Sequence, residues 1–291
     1  MIINFGSINI DHVYRVPHFV APGETLSSTA YSKGLGGKGF NQSIALFRAG
    51  APVRHVGCIG ADDASAGAWL HTQLSQLQLD LSGIQSVDTA TGHALIQVND
   101  EGENCILLYA GANHSLSEAQ IDAELSHATA EWELLQNETN AIERIIERAH
   151  AAGKKVVFNP APCRPELAQL PLHKLHTLIV NEIEAQQLSG LSDLEQALDK
   201  LSTLCPNIIL TLGGDGVRYI GESGALTVAA KKVEVVDTTA AGDTFIGYYL
   251  ASVAQGMDVQ SALERANAAA AITVTRLGAV SAIPFAHELA N

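Results

Sequence analysis

Positive charge is scarce in this chain. Its 291 residues include 17 Lys and Arg against 31 Asp and Glu, which gives a formal net charge of −14 at pH 7. Nucleic acids and anionic membranes are bound through basic surfaces, so neither is an expected partner. A phosphate ligand stays compatible with this charge, because backbone N–H groups can hold phosphate without a cationic side chain.

Cysteine is also rare, and apolar residues never continue for long. The four cysteines form no C-x-x-C pair and predict free thiols in a reducing compartment. No apolar stretch reaches the length of a membrane span, and the first residues lack the basic segment of a secretory signal. We therefore expect a cytoplasmic protein. Internal repeats, low-complexity tracts and linkers are absent too, which predicts a single domain over residues 1–291.

What the sequence does contain is an alternation of strand-like and helix-like segments. Strands are predicted at residues 2–8, 53–59, 155–158, 177–180, 207–212 and 233–236. Helices are predicted at residues 39–49, 63–79, 142–149 and from 245 onward, with one more that Ser192 caps and that runs to about Leu204. This order predicts an α/β fold in which a mostly parallel sheet is covered by helices on both faces.

One region breaks the alternation. Two apolar runs, residues 93–98 and 105–109, are separated only by the polar residues 99–104. Without a helix between them they cannot be parallel neighbours, so a hairpin is expected. Together with parts of residues 10–35, this hairpin could form a small sheet outside the main domain.

Small residues join the run at 233–236 to the apolar helix that follows. A Gly-containing turn that leads into a helix N-terminus forms an anion site, because unpaired N–H groups and the positive end of the helix dipole face it. Asp243 places a carboxylate beside that site. A carboxylate repels phosphate, and work as the general base for a hydroxyl that attacks a phosphoryl group would explain its presence.

A second glycine-rich segment covers residues 34–39. It fails as a Walker A loop, because Ser32 stands at the first glycine position and Gly39 follows the lysine where Ser or Thr is required. It also lacks the dinucleotide pattern, which argues against a dehydrogenase. Close approach of the backbone to another group and a simple structural turn both remain open.

Two short polar side chains, Asn9 and Asp11, follow the first predicted strand. They alternate along the chain, so they can project to one side at the sheet edge where α/β proteins bind ligands. Such groups suit the hydroxyls of a polyol, while a turn or a helix cap is the simpler alternative.

Three segments together resemble the signatures of the PfkB/ribokinase family of carbohydrate kinases: Gly36–Asn41, Asn181–Glu184 and Asp237–Asp243. Further segments resemble the ribokinase branch of that family most closely, and they occur in the same order. These are Pro22–Thr25, Glu101–Asn104, Ala110–Asn113 and Asn159–Pro162. The resemblance therefore covers essentially the whole chain.

The resemblance implies a three-layer α/β/α, doubly wound, mostly parallel sheet with a small β lid. The lid would be formed by parts of residues 10–35 and 92–112 and would also provide a homodimer contact. The implied reaction transfers the γ-phosphoryl group of ATP to a sugar hydroxymethyl, most closely the 5-hydroxymethyl of D-ribose. Mg²⁺ and K⁺ are the implied ions.

The same resemblance assigns roles to individual residues. Asp243 matches the general base, and the anion hole is matched by the N–H groups of Ala240, Ala241, Gly242 and Asp243. Sugar-contacting positions are matched by Asn9, Asp11, Gly37, Lys38, Asn41 and Glu138, together with Asp243. Nucleotide-contacting positions are matched by Asn181, Thr211, Gly213, Gly214, Gly216, Gly242 and Asn267. Glu184 matches the acidic residue that organises Mg²⁺.

A monovalent-cation site is implied as well. Its positions are matched by Asp237, Thr239, Thr273, Arg276, Gly278 and Ala282. The family pattern has serine where this chain has Ala282, and Ser281 lies one residue earlier. Most of the ligands are main-chain oxygens, which suit a hard cation, so the departure weakens this site without excluding it.

Several alternatives stay open. Kinases of the same family for deoxyribose, fructose or a nucleoside share the fold and motifs, and a non-catalytic sugar or nucleotide sensor could share the fold. Asn267 could equally be a simple exposed polar residue of its helix. Trp132 is interpreted as a packing residue, and Glu131 and Glu133 on either side of it as a solvated face.

Overall fold

Two β-sheets organise the chain, which a computed structural model describes for residues 1–61 and 67–290. The strands in chain order are β1 (Ile2–Phe5), β2 (Asn9–Arg15), β3 (Ala30–Gly36), β4 (Val53–Gly60), β5 (Asp80–Val87), β6 (Gly92–Val98), β7 (Asn104–Tyr109), β8 (Trp132–Gln136), β9 (Lys155–Asn159), β10 (Thr177–Asn181), β11 (Ile208–Thr211), β12 (Val217–Gly221) and β13 (Gly224–Val228).

Helices fill the connections between these strands. In the described part of the chain they are α1 (Lys38–Arg48), α2 (Gly67–Ser75), α3 (Glu118–Leu125), α4 (Ile142–Ala151), α5 (Glu182–Ser189), α6 (Leu194–Ser202), α7 (Ala241–Ala254) and α8 (Val259–Thr273). None of them is both long and apolar enough to cross a membrane.

The larger sheet has nine strands in the order β13-β12-β11-β10-β9-β8-β1-β4-β5. The strands from β11 to β5 run parallel, and only β12 and β13 are antiparallel additions at one end. The carboxyl ends of seven parallel strands therefore meet at one edge, which is where ligands bind in open sheets of this kind.

Helices cover both faces of the larger sheet. Neighbouring residues of β1 point to opposite faces, so Ile2 joins one hydrophobic core and Ile3 the other. The first core is completed by α1, α2, α7 and α8, and the second by α3, α4, α5 and α6. The predicted three-layer α/β/α fold with a mostly parallel sheet is confirmed.

The smaller sheet has four strands in the order β3-β2-β6-β7. The predicted hairpin is present as the antiparallel pair β6–β7, and the other two strands come from the predicted stretch near the amino end. On its outer face Leu107 and Tyr109 are exposed, at 68% and 49%. The other face, which includes Asp11 and Ile106, lines a cavity beside the main body of the protein.

Several predicted elements need correction. The strand predicted at 2–8 is divided, because the chain leaves the larger sheet after Phe5 and enters the smaller one at Asn9. The helix predicted at 63–79 is observed only from Gly67 to Ser75, and residues 63–66 lie outside the described residues. Strand β5, which follows, was missed because its sequence, DLSGIQSV, lacks a regular apolar pattern.

The strand predicted at 233–236 does not exist. This segment pairs with no strand of the described chain, and Val235 and Val236 are more than half exposed. Its long-range backbone contact is the bond from Val236 N–H to the carbonyl of Val274. β-Branched residues alone therefore gave a false signal, since a strand also needs a neighbour to pair with.

Two smaller expectations are also wrong. Helix α6 is capped by Asp193, whose side chain accepts a bond from the Gln196 N–H at 2.9 Å, and not by Ser192. Glu133 does not belong to a solvated face, because β8 is a central strand and this side chain is fully buried. Trp132 does pack in the core, as expected.

Candidate active site

Helix α7 starts at the carboxyl edge of the larger sheet and brings Asp243 into its first turn. Ala240, the residue before the helix, has φ 61°, a left-handed conformation that is uncommon for a residue with a side chain. No side chain in the described part of the protein caps this helix, and the Ala241 N–H donates weakly to the carbonyl of Thr238 at 3.2 Å. A Cβ on Gly242 would meet nothing within 4 Å, so there is open space beside the first turn.

The carboxylate of Asp243 is almost buried and is held by two amides. Asn41 Nδ2 donates to Oδ2 at 3.0 Å, and Gln42 Nε2 donates to Oδ1 at 2.9 Å. The side-chain oxygen of Asn41 is buried and has no hydrogen-bond partner among the described residues. It is therefore an acceptor available to a bound hydroxyl group.

The glycine-rich segment lets helix α1 approach strand β1 closely. A Cβ on Gly39 would lie 2.3 Å from Gly6 Cα, and Gly37 adopts φ 92° just before the helix. Of the two interpretations left open by the sequence, close backbone approach is correct, and the approached group is the protein's own backbone.

Carboxylates surround Lys38 at the start of α1. Burial disfavours its ammonium, but Asp243, Glu138 and Glu184 outweigh this effect, so the pKa of Lys38 is raised. Glu138 accepts bonds from the Lys38 backbone N–H at 2.9 Å and from Ser7 Oγ at 2.5 Å. Burial raises the pKa of Glu138, although its bond with Ser7 and the Lys38 charge act in the opposite direction.

Asp11 faces the same group of charges from the smaller sheet. Burial first, and then the negative charges of Glu138 and Asp243, raise its pKa to about 7. A Cβ on Gly36 would lie 2.0 Å from Asp11 Oδ2, so a side chain at position 36 would displace the Asp11 carboxylate. Asp11, Lys38, Glu138 and Asp243, which the sequence resemblance assigned to one site, are thus close enough to interact electrostatically.

Asn9 precedes Asp11 on the same strand and is 3% exposed. Its Oδ1 accepts a bond from Asn113 Nδ2 at 2.8 Å, and Asn113 Oδ1 accepts one from the Ile8 N–H. Asn113 therefore anchors the point where the chain passes from the larger to the smaller sheet. The family resemblance includes the segment of Asn113 but assigns this residue no role.

The residues matched to nucleotide contacts lie farther along the same edge. Asn181 and Thr211 end the neighbouring strands β10 and β11 and are register partners. Asn181 and Glu184 form a capping box on α5, with bonds of 2.8 and 2.9 Å. Burial raises the pKa of Glu184, and the Asn181 N–H and Lys38 oppose that shift.

The glycines after β11 have different surroundings. Open space surrounds Gly213 and Gly214, whereas a Cβ on Gly216 would lie 2.1 Å from the Val228 carbonyl oxygen. Asn267 is only 9% exposed and donates to the carbonyls of Val228 and Ala229 at 3.3 Å each. The interpretation of Asn267 as an exposed helix residue is therefore wrong.

The predicted cation-site residues are brought together only in part. Asp237 accepts bonds from Thr239 N–H and Oγ1 and from the Gly278 N–H, at 2.6 to 2.9 Å. Burial acts to raise the pKa of Asp237, but these hydrogen bonds outweigh it and the pKa is lowered. The Val274 carbonyl accepts bonds from the N–H groups of residues 236 and 237, which joins the two loops.

The other three residues of that set have different side-chain contacts. Thr273 is buried and bonds to Thr244, and the Arg276 guanidinium pairs with Glu288 at 2.6 Å. Ala282 is fully buried, and Ser281 Oγ donates to the Leu277 carbonyl at 3.1 Å. Ser281 therefore does not take the place of a serine at 282 in this conformation.

A cavity of about 940 Å³ separates the smaller sheet from the main body. Asp11 lines it from β2, and the loops at 235–239 and 277–281 line it from the opposite side. The volume is in the range that small-molecule sites require.

Known proteins resemble this chain in sequence and in fold. The sequence pattern of the pfkB family carbohydrate kinases matches residues 1–286. A ribokinase from Haemophilus influenzae is 38% identical, over 97% of this chain and 95% of its own length. The crystal structure of a ribokinase from Thermotoga maritima has a TM-score of 0.88 and 36% identity, with 99% of this chain and 97% of that chain covered.

A further solved structure is of an Arabidopsis thaliana ribokinase complexed with ribose and ATP. It has a TM-score of 0.86 and 26% identity, and covers 99% of this chain and 96% of that chain. These matches run nearly from end to end over the fold and the site described above. This chain therefore belongs to the pfkB family of carbohydrate kinases, which are phosphotransferases that act on an alcohol group.

Proposed function

We propose that this chain is an ATP-dependent ribose kinase that phosphorylates the 5-hydroxymethyl group of D-ribose. The observation that supports it best is the position of Asp243. Its carboxylate lies in the first turn of an uncapped helix, beside the buried free oxygen of Asn41. The relatives aligned over the full chain are named ribokinases.

Asp243 acts as the general base in this proposal. Its Oδ2 accepts only from Asn41 within the described part of the protein, so a second lone pair can accept the proton of the sugar hydroxyl. The hydroxyl oxygen then attacks the γ-phosphoryl group in line with the leaving ADP. A positioned base contributes about 10²–10⁴-fold to such a step.

The N–H groups of residues 240–243 serve as the anion hole. The helix start has no side-chain cap and open space beside Gly242, so N–H groups there can bind the charge on the transferring phosphoryl group. Lys38 supplies the cationic side chain at the centre of the site. Its raised pKa keeps it charged over the working pH range.

The sugar hydroxyls are bound by Asp11, Lys38, Asn41 and Glu138, with Asn9 and Gly37 shaping the wall. Asp11 and Glu138 are acceptors for hydroxyl protons, and Asp11 also lines the cavity beside the smaller sheet. Because the pKa of Asp11 is about 7, its charge changes near neutral pH. Lys38 supplies donors for the sugar oxygens, and the free side-chain oxygen of Asn41 is a further acceptor.

ATP is proposed to bind along the carboxyl edge of the larger sheet. Its proposed contacts are Asn181, Thr211, Asn267 and the glycines at 213, 214 and 216. Glu184 is the residue proposed to hold Mg²⁺, through water. The donor set fits this use, since Oε2 of Glu184 is engaged by Asn181 and the second oxygen makes no bond in the described part of the chain. Mg²⁺ usually takes one or two carboxylates plus substrate phosphates, and no cluster of three or more ligand residues exists among the described residues. When bound, it neutralises phosphate charge.

K⁺ activation is proposed on the basis of Asp237, Thr239 and Gly278, whose loops are joined by hydrogen bonds. The remaining contributions come from main-chain oxygens near Thr273, Arg276 and Ala282. Activity measured with K⁺ and with a non-binding organic cation tests this point, and equal rates would exclude the site.

We also propose that the smaller sheet is a lid and a homodimer contact, on the basis of its exposed outer face. The cysteines are all free thiols, in keeping with work in the cytoplasm. Sedimentation at several protein concentrations tests the dimer.

The substrate is tested by a phosphorylation screen over pentoses, hexoses and nucleosides with ATP and Mg²⁺. D-Ribose is expected to give the highest kcat/KM. A higher kcat/KM for deoxyribose, fructose or a nucleoside would mean that the protein is a kinase with that compound, and not D-ribose, as its substrate. Tight sugar or ATP binding without any turnover would instead identify a sensor.

A further inference from the structure

A buried chain of side-chain amides leads from the core to Asp243, and it plays no part in the roles assigned above. Gln42, Gln136 and Asn4 are each at most 1% exposed. They come from helix α1 and from the strands β8 and β1, which neighbour each other in the larger sheet. Three fully buried amides in contact are costly unless their hydrogen bonds are matched.

One backbone carbonyl determines the direction of the hydrogen bonds along these three amides. Asn4 Nδ2 donates to the Gly39 carbonyl at 2.7 Å, and a carbonyl oxygen can only accept. Asn4 Oδ1 therefore faces Gln136, whose Nε2 donates to it at 2.9 Å and to Gln42 Oε1 at 2.7 Å. This leaves the nitrogen of Gln42 at the far end, where it donates to Asp243 Oδ1 at 2.9 Å.

A reversed Gln42 amide would place its oxygen against the Asp243 carboxylate. The reversal would also put the Gln42 nitrogen against the Gln136 nitrogen. The side-chain amides of Gln136 and Asn4 would then have to rotate as well. Asn4 would turn an oxygen toward the Gly39 carbonyl oxygen. Each of these contacts is repulsive, so the backbone at Gly39 fixes which end of Gln42 meets the carboxylate.

We infer that Gln42 is a positioning residue for Asp243, and that Gln136 and Asn4 hold its amide in the donating orientation. This inference rests on the proposed role of Asp243 as general base. Gln42 binds Oδ1 from the core side, which holds the carboxylate plane and leaves Oδ2 to Asn41 and the sugar hydroxyl. A donor to the ionised carboxylate also favours the form that can take a proton.

Other charges face Asp243 from elsewhere in the fold. Asp11 approaches from β2, Glu138 from the loop after β8, Glu184 from α5 and Lys38 from α1. None of them is altered in the variants below. A difference between wild type and variant in pH dependence therefore reports the loss of the Gln42 donor.

The first test replaces Gln42 by Met, which has a similar shape and no donor. Single-turnover phosphoryl transfer to D-ribose, or to whichever sugar the wild type phosphorylates, is measured between pH 5 and 9. Loss of a hydrogen bond to a charged group is expected to move the acid limb upward by about one pH unit, which lowers the rate about tenfold at any pH on that limb. Sugar KM is expected to change less than kcat, because Asn41 and Asp11 are untouched.

Gln120→Met is the matched control. Gln120 is 3% exposed and donates to the carbonyls of Gly57 and Gly83, away from Asp243. It should lower stability and leave the acid limb in place. If Gln42→Met keeps the wild-type acid limb, or if Gln120→Met moves it equally, Gln42 has no positioning role.

The second test is Gln136→Met, which does not touch Asp243. It removes the donor to Gln42 Oε1 and to Asn4 Oδ1, so the Gln42 amide is no longer held in the donating orientation, and the acid limb is expected to move upward again, by less than in Gln42→Met. An unchanged limb in a folded Gln136→Met protein contradicts the inference.

A measurement on the wild-type protein completes the test and needs no variant to fold. The side-chain NH₂ group of Gln42 in ¹⁵N-glutamine-labelled protein should exchange slowly with solvent, and its shift should follow the same titration as the acid limb. A Gln42 amide that is insensitive to that titration refutes the inference. A wild type that phosphorylates no sugar refutes the proposed function instead, so the two failures are distinguishable.

Discussion

Replacing Glu133 by Gln is expected to change how the stability of this protein depends on pH. Glu133 is fully buried in β8, and neither carboxylate oxygen has a hydrogen-bond partner of good geometry among the described residues. The nearest cation is Lys154 Nζ, 3.5 Å away, and it already donates to the carbonyls of His127 and Ala130. Burial raises the pKa of Glu133 from 4.5 to about 8, although Lys154 opposes the shift.

The sign of the effect follows from this direction. In the folded protein Glu133 holds its proton up to about pH 8, whereas in the unfolded chain it loses the proton near pH 4.5. Its contribution to stability is therefore complete below pH 4.5 and is lost as the pH rises toward 8. At about 1.36 kcal/mol per unit, the free energy of unfolding should fall by about 2–3 kcal/mol between pH 5 and pH 7 on account of this group.

The Glu133→Gln variant carries an amide with no proton to lose, so it should lack this part of the pH dependence. Urea denaturation at pH 5, 6, 7 and 8 measures it, and the gap between variant and wild type should move in favour of the variant as pH rises. Glu131→Gln is the control, since the Glu131 side chain is 65% exposed beside Lys155. Parallel stability curves for Glu133→Gln and wild type would show that Glu133 is ionised in the folded protein.

Three further changes are expected to have clear outcomes. Asp243→Asn should lower the single-turnover rate about 10²–10⁴-fold while ADP binding by calorimetry stays within a few-fold, and a smaller loss would remove Asp243 from the role of base. Ala240→Gly should raise stability by about 0.5–1 kcal/mol. Relief of the left-handed conformation (about 1–2 kcal/mol) exceeds the entropy that glycine adds to the unfolded chain (about 0.5–1 kcal/mol). A lower Tm would contradict this. Gly39→Ala should prevent α1 from packing against β1, since its Cβ would lie 2.3 Å from Gly6 Cα. Thermal unfolding followed by circular dichroism should show lower stability, and ADP titration should show weaker binding. Wild-type values in both would mean that the backbone adjusts easily.

Much of the fold could be predicted from local patterns. The alternation of strands and helices, the hairpin at residues 93–109 and the apolar face of α4 all appear as predicted. These signals work because each depends on the periodicity of a single element. The predictions failed at strand β5 and at the exposed valines 235 and 236 for the same reason, since pairing with a neighbour is not a local property.

The site was predictable where its residues lie in short motifs. Asp11, Lys38, Asn41 and Asp243 were named from sequence, and the structure places them within reach of one another. The motif around Asn181 and Glu184 has a second, structural reason, because the pair caps α5. Sequence alone could not separate that role from ligand binding.

The sequence by itself determined the family, the order of the elements and the residues able to do the chemistry, because these depend on residue type and short spacing. Only the tertiary structure decided which end of Gln42 meets Asp243, 201 residues away, and which amide lies between Gln42 and Asn4. It alone decided as well that Glu133 is buried. Burial and hydrogen-bond direction are set by partners distant in the chain, so they exist only once the sheet and its helices have assembled.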